Sequence, residues 1–184
     1  MSSPRALAWC LGALAGLAQA AGAATVTLDF EDLGCARGEA SCELGDQYMG
    51  KGYALRYTPA EDEPIGSGLV VVGKAWKANR KGSVALSLRS CETSVTLMAN
   101  DNALFDALAI DLAEMNGDGR AEVVFQGVQG NGNTVSQALV LDGKPGWQRF
   151  SFPASFRGLS SLRWAQGGCL QAQPHMFDNI ELQA

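Results

Sequence analysis

Two groups of carboxylates stand near opposite ends of this 184-residue chain. Near the beginning, Asp29, Glu31 and Asp32 interrupt Thr25-Val26-Thr27-Leu28-Asp29-Phe30-Glu31-Asp32-Leu33. Near the end, Asp178-Asn179 interrupts His175-Met176-Phe177-Asp178-Asn179-Ile180-Glu181-Leu182. Strand interiors disfavour Asp and Asn, whose short polar side chains compete for backbone partners. Their place in both terminal segments implies that the two ends pair and that their carboxylates meet at one site. If Thr25 to Leu33 is one strand, alternation puts Asp29 and Glu31 on the same face, where either can join Asp178.

Other chemistry is poorly supplied. His175 is the only histidine, which excludes a multi-His metal centre. Asp178 lies three residues on and so faces the other side of a strand, and no Gly-x-Ser-x-Gly elbow exists for a hydrolase triad. Paired carboxylates can hydrolyse glycosides, but nothing singles out a pair beyond the terminal acids, so the chain reads as non-catalytic. Glu114-Met115-Asn116-Gly117-Asp118-Gly119 echoes the start of a calcium-binding EF-hand loop. Its twelfth position is Phe125, where a bidentate Glu is needed, and Asn-Gly with Asp-Gly reads better as a turn. Sugars stack on exposed aromatic faces. Trp76, in a basic loop with Lys74, Lys77 and Asn79, is one candidate ligand-binding residue. Tyr48 and Tyr53, which flank the Gly50–Gly52 turn, are two more. Trp147 and Trp164 lie on alternating segments and read as core.

The elements that must position these groups are short strands. Tyr53–Tyr57, Leu69–Val72, Ser83–Leu88, Ser94–Met98, Glu122–Val128, Thr134–Leu141, Trp147–Phe152 and Leu159–Trp164 have strand character. Leu104–Leu112 fits a strand or a short helix, with length and flanking Asn and Gly favouring the strand. Gly127 to Asn133 reads as a hairpin, and Gly34–Asp46 and Thr58–Gly68 as polar loops. Ten or eleven strands punctuated by turns, with no long amphipathic helix and no repeat, indicate an all-β protein, a two-sheet antiparallel β-sandwich of jelly-roll or related Greek-key type. In such folds the first and last strands often lie side by side.

Residues 1–24 read as a signal peptide. Arg5 is the charged n-region, Ala6–Ala18 the apolar run, and cleavage is expected between Ala20 and Ala24. The apolar run is too short to span a bilayer, so no stable membrane anchor is expected. Residues 25–184 then form one domain, secreted or periplasmic. Beyond Cys10, an even set remains: Cys35, Cys42, Cys91 and Cys169. An exported chain favours two disulfides, with three possible connectivities. Cys35 and Cys42 share one loop and are expected to pair, leaving Cys91 with Cys169. The chain has 19 acidic residues against 14 Lys and Arg, one of them in the leader. That balance argues against nucleic acid as a partner.

Several short motifs are shared with a known group. Leu28-Asp29-Phe30-Glu31-Asp32-Leu33, Asp46-Gln47-Tyr48 with Gly52, Phe125-x-Gly127-x-x-Gly130, Leu141-Asp142-Gly143, Phe156-x-Gly158-Leu159-x-Ser161-Leu162 and Phe177-Asp178-Asn179-Ile180 resemble exported bacterial β-sandwich proteins of the PEP-CTERM-associated kind. The chain stops at Ala184 without the Pro-Glu-Pro tail, so the sorting role of that tail is not expected. The resemblance implies a galactose-binding-like jelly roll similar to carbohydrate-binding modules. It also implies a structural calcium ion between first and last strands, held by Glu31 and Asp178 with Asp29 and Asp32 in reserve. The expectation is a secreted binding or adhesion module with an extracellular glycan as partner. The alternatives are a structural component of a surface layer or extracellular matrix, and a small glycan-active hydrolase or lyase.

Overall fold

The computed structural model describes residues 24–37, 39–61, 68–77, 79, 82–115, 120–165 and 174–184. They form thirteen strands in chain order: β1 (Thr25–Leu28), β2 (Ser41–Gly45), β3 (Gln47–Gly50), β4 (Tyr53–Thr58), β5 (Leu69–Val72), β6 (Ala85–Leu88), β7 (Ser94–Ala99), β8 (Asp106–Glu114), β9 (Glu122–Gln129), β10 (Thr134–Val140), β11 (Gln148–Ser151), β12 (Leu159–Ala165) and β13 (His175–Gln183). A single 3₁₀ turn covers Ala154–Phe156. No helix among the described residues is long and apolar enough to cross a membrane. The expected signal peptide lies outside the described residues except for Ala24.

Two antiparallel sheets face each other, as the alternating pattern implied. Sheet A runs β11-β8-β13-β6-β5-β2, with β1 also paired to β13; sheet B runs β10-β9-β12-β7-β4-β3. The chain therefore has a jelly-roll sandwich. Between the sheets lies one apolar core in which Leu28, Phe30, Leu55, Leu97, Ile110, Phe125, Leu162, Trp164 and Phe177 are almost completely buried. Edge-to-face and stacked rings link Phe30, Phe177, Trp164 and Phe125 into a continuous aromatic chain. Burying each such Leu or Phe side chain stabilises the fold by about 1.5–3 kcal/mol relative to exposure.

The first and last strands do lie side by side, with Thr25 opposite Gln183 and Leu28 opposite Ile180. The imperfect alternation of β13 has a local cause. Phe177 and Ile180 both enter the core although they are three residues apart. One extra residue must be absorbed between them, and the register against β8 shifts between Asp178 and Glu181. Asn179 takes up that step at φ 48°, a left-handed conformation that Asn tolerates better than most residues.

The sequence expectation of a strand through Leu33 is corrected. β1 ends at Leu28, and Phe30 sits at φ 52° in a turn closed by the Leu33 amide donating to the Phe30 carbonyl. Ser41–Gly45, read as part of a polar loop, is the edge strand β2, paired to β5. Leu104–Leu112 resolves as the long strand β8, and Gly127–Asn133 falls in the β9–β10 hairpin. Cys35 and Cys42 are disulfide-bonded, with their Cα atoms 5.5 Å apart. Cys91 is also in a disulfide; its expected partner, Cys169, lies outside the described residues, as do residues 116–119 of the Glu114–Glu122 segment.

Candidate functional site

Glu31 and Asp178 come together, and the chain segment between them is Ser83-Val84. The Ser83 hydroxyl donates to Asp178 Oδ2 at 2.9 Å, and the Val84 amide donates to Glu31 Oε1 at 2.8 Å. Asp178 is fully buried on the outer side of sheet A, directly opposite Asp111 on β8. Asn179 joins these two acids, its side-chain amide donating to Asp111 Oδ2 at 3.0 Å and Asp178 Oδ2 at 3.2 Å. Its backbone amide donates to Asp178 Oδ1 at 2.7 Å. Burial drives the Asp178 carboxyl up to about 6, against the pull of Ser83 and the Asn179 amide and with further push from Asp111 and Glu31.

Two cations line this acidic cluster. Lys74 reaches Glu31 Oε2 at 2.9 Å, and with the Val84 amide it holds that carboxyl below the usual range. Arg149 spans Asp111 at 3.3 Å and Glu181 at 2.5 Å. Four carboxylates (Glu31, Asp111, Asp178 and Glu181) thus face two cations. Asp29 is not part of the group. The Phe30 turn breaks the alternation that would have put it beside Glu31, and its carboxylate pairs instead with Lys51 at 2.8 Å. Among the described residues no three His, Cys, Asp or Glu side chains converge in a ready metal-binding set. Glu31 and Asp178 are oxygen donors of the kind a hard cation takes, but Lys74 occupies one of the Glu31 oxygens. Asp111 was missed from sequence. An Asp within Ala107-Leu108-Ala109-Ile110-Asp111-Leu112-Ala113 is the same anomaly as Asp178, but the helix-or-strand ambiguity of that segment hid which face it would take.

Two of the three expected aromatic platforms are corrected too. Tyr48 and Tyr53 are only 4% and 5% exposed and belong to the core. Tyr48 packs edge-on against Phe30 and donates its hydroxyl to Asp32 at 3.0 Å. Burial, reinforced by Asp32, pushes its ionisation up. Neither ring offers a face to a sugar. Alternation of β3 and β4 places Tyr48, Tyr53, Leu55 and Tyr57 inward together, and the glycine turn could not reveal that phase. Trp76 is half-buried, with its indole N–H donating to the Met115 carbonyl at 3.3 Å. Together with Trp147 it packs over Val72, Ala85, Ala113 and Met176, a second apolar cluster on the outer side of sheet A.

The two outer faces of the sandwich therefore differ. That of sheet A is largely covered by Trp76, Trp147 and the acidic cluster. The outer face of sheet B is open. The strand registers set Gln47 beside Arg56, Arg56 beside Thr96, Thr96 beside Arg163, Arg163 beside Gln126 and Gln126 beside Ser136. One polar row thus crosses all six strands. Around it stand the exposed apolar side chains Met49, Val124, Val128 and Val140. A shallow depression of about 100 Å³ lies beside Arg163, lined also by Val124, Gln126, Trp164 and Ala165.

The fold has known counterparts. The CBM22-1 xylan-binding domain of Paenibacillus barcinonensis Xyn10C matches with a TM-score of 0.50 at 15% identity, covering 88% of this chain and 95% of that one. The C-terminal family 22 carbohydrate binding module of Clostridium thermocellum Xyn10B matches with a TM-score of 0.47 at 12% identity, covering 90% and 96%. At 15% identity the first likeness is one of fold: the chain shares the jelly-roll sandwich of that xylan-binding domain. No family model matches it, and no curated protein matches it.

Proposed function

We propose that this protein is an exported, non-catalytic carbohydrate-binding module that takes its glycan on the open outer face of sheet B. The observation that carries this reading is the contrast between the two sides of the sandwich. One side spends its aromatic residues on packing, while the other leaves an uninterrupted row of hydrogen-bonding side chains exposed between apolar neighbours. Such a surface, polar groups set among apolar ones, is what sugar hydroxyls and C–H faces require. The carbohydrate-binding-module fold supports it, as does the xylan-binding domain among its counterparts. Export is supported by the leader-like composition of residues 1–24 and by disulfides at Cys35–Cys42 and Cys91.

Calcium belongs to this proposal as a structural ion. Asp178 and Glu31 would hold it, with Lys74 giving up its place on Glu31. What supports it is the charge-unbalanced acidic cluster, in which Asp111 and Asp178 are buried and Glu31 stands exposed at the edge. Its position on the far side of the sandwich from sheet B's open face gives it a stabilising role and keeps it away from the ligand. Affinity electrophoresis of the purified protein through gels containing soluble polysaccharides tests the binding function. Retardation by a glycan that is reduced by Gln126→Ala and Ser136→Ala is expected. Unchanged mobility in every polysaccharide tried would overturn the reading.

A further inference from the structure

The polar row on sheet B contains two arginines in a chain of net charge −5. Arg89, Arg149 and Arg157 each lie against a carboxylate, of Glu43, of Asp111 and Glu181, and of Asp106. Arg56 and Arg163 have no such partner among the described residues. Arg163 is nevertheless held in place, its Nε donating at 3.0 Å to the hydroxyl of Ser94, which is 1% exposed. That bond fixes the plane of the guanidinium and leaves its two terminal nitrogens for another acceptor. A guanidinium fork oriented in this way matches a planar carboxylate through two parallel hydrogen bonds.

The spacing is set by the sheet. Arg56 on β4 and Arg163 on β12 flank Thr96 on β7 in one row. Two strand intervals separate their backbones, roughly 10 Å. A glycan lying across the strands would meet the two arginines at alternate sugars. The face offers no aromatic ring for stacking among its described residues, so affinity must come from elsewhere. The only acid on its strands is Glu122, at the start of β9, four residues along from Gln126 and away from the arginine row.

We infer that the ligand of this face is an acidic glycan whose uronate carboxylates are received by Arg56 and Arg163. The inference rests on the glycan-binding reading of sheet B and narrows its substrate class. Arginines without carboxylate partners on an acidic protein are the electrostatic complement of a polyanion, and the apolar rim of Met49, Val124 and Val128 covers the less polar sugar faces. Thr96, Gln126 and Ser136 supply hydroxyl and amide groups for the neutral positions between carboxylates.

Isothermal titration of the purified protein with polygalacturonate, carboxyl-reduced polygalacturonate, neutral xylan and dextran sulfate tests it. Polygalacturonate is expected to bind, and carboxyl reduction to weaken binding by more than about tenfold. Arg56→Gln and Arg163→Gln should each cost roughly tenfold in affinity, as expected for losing one charge-assisted pair. Lys144→Gln, in the Asp142–Gly146 turn, should cost nothing, and melting temperatures should show that all three variants fold. Equal binding of the carboxyl-reduced polymer or of xylan would overturn the acidic specificity while leaving glycan binding standing. So would polygalacturonate binding that survives both arginine changes. Dextran sulfate binding as tightly as polygalacturonate, with Lys144→Gln weakening both, would overturn it as mere charge attraction. Failure of all four polymers to bind would overturn both readings together.

Discussion

Asp178 gives the most demanding test of the structure. Its carboxyl is fully buried and raised from an ordinary 3.8 to about 6. A folded-state value above the unfolded one means that the native protein binds this proton more tightly. Its contribution to stability is therefore highest below pH 4 and falls as pH climbs from about 4 to 6. Above that window, in protein stripped of divalent cations, the ionised carboxylate costs about 3 kcal/mol, from a difference of roughly two pH units at 1.36 kcal/mol each. Asp178→Asn keeps the shape and removes the titration, although one of the donors from Ser83 and Asn179 loses its acceptor. Asp29 and Glu31 act in the opposite sense, since Lys51 and Lys74 hold their carboxyls low and their stabilisation is lost as pH falls through those depressed values. The informative quantity is accordingly the difference between the two proteins. Urea unfolding in EDTA at pH 4 and pH 7 should show Asp178→Asn gaining on the parent by about 2 kcal/mol across that interval, the remainder of the full value falling below pH 4 and above pH 7. Saturating calcium should abolish the gain, because a cation on the carboxylate compensates its charge. A difference that stays flat from pH 4 to pH 7 in EDTA would refute the placement of a strained, buried carboxylate at this position.

Melting of the parent protein should fall by several degrees on transfer from calcium to EDTA, because an ion bound only by the folded state stabilises it by mass action; Glu31→Gln should shrink that shift, and a parent melting temperature indifferent to both reagents would count against the ion. Replacing Cys35 and Cys42 together by Ser should cost about 2–3 kcal/mol in urea unfolding, the loop-closure value for so short a ring. Gly132→Ala and Gly127→Ala should both destabilise, but for different reasons. At Gly132 nothing lies within 4 Å of the added methyl, and only its φ of 86° resists, at about 1 kcal/mol. At Gly127 the methyl would sit 2.8 Å from Leu159 Cδ2, so overpacking of about 1–3 kcal/mol is expected, and Leu159→Ala should partly restore the pair in a double-mutant cycle.

The sandwich could be read from sequence because its strands alternate strongly where one face is buried. β9 and β12 carry their cores on alternate residues and their polar groups between them, and the β9–β10 hairpin carries its own Gly and Asn signals. β2 could not be read, since Ser41-Cys42-Glu43-Leu44-Gly45 pairs only along one edge and its residues stay half-exposed. The pairing of the termini and the meeting of Glu31 with Asp178 were legible from misplaced acids. The exclusion of Asp29 was not, because the left-handed turn at Phe30 has no glycine or asparagine to announce it. The aromatic residues misled for a related reason: Tyr48 and Tyr53 look alike in a loop or a strand until the phase of β3 and β4 is known. The arginine row was invisible for a deeper reason. Arg56 and Arg163 are more than a hundred residues apart in sequence and become neighbours only through the long-range order of β4, β7 and β12.

The strand made last has a central place. β13 lies between β8 and β6, with β1 alongside as well, so its nine residues complete pairings begun up to 158 positions earlier, where Thr25 meets Gln183. Until a ribosome has released that segment, β1, β6 and β8 keep open edges, and Leu28, Leu86 and Ile110 lack the neighbours that keep water away. Sheet A is thus left divided until β13 is inserted, and the contacts that close it are the distant kind that form slowly. Until then those strands present unpaired backbone to any neighbouring chain, the arrangement most prone to edge-to-edge association.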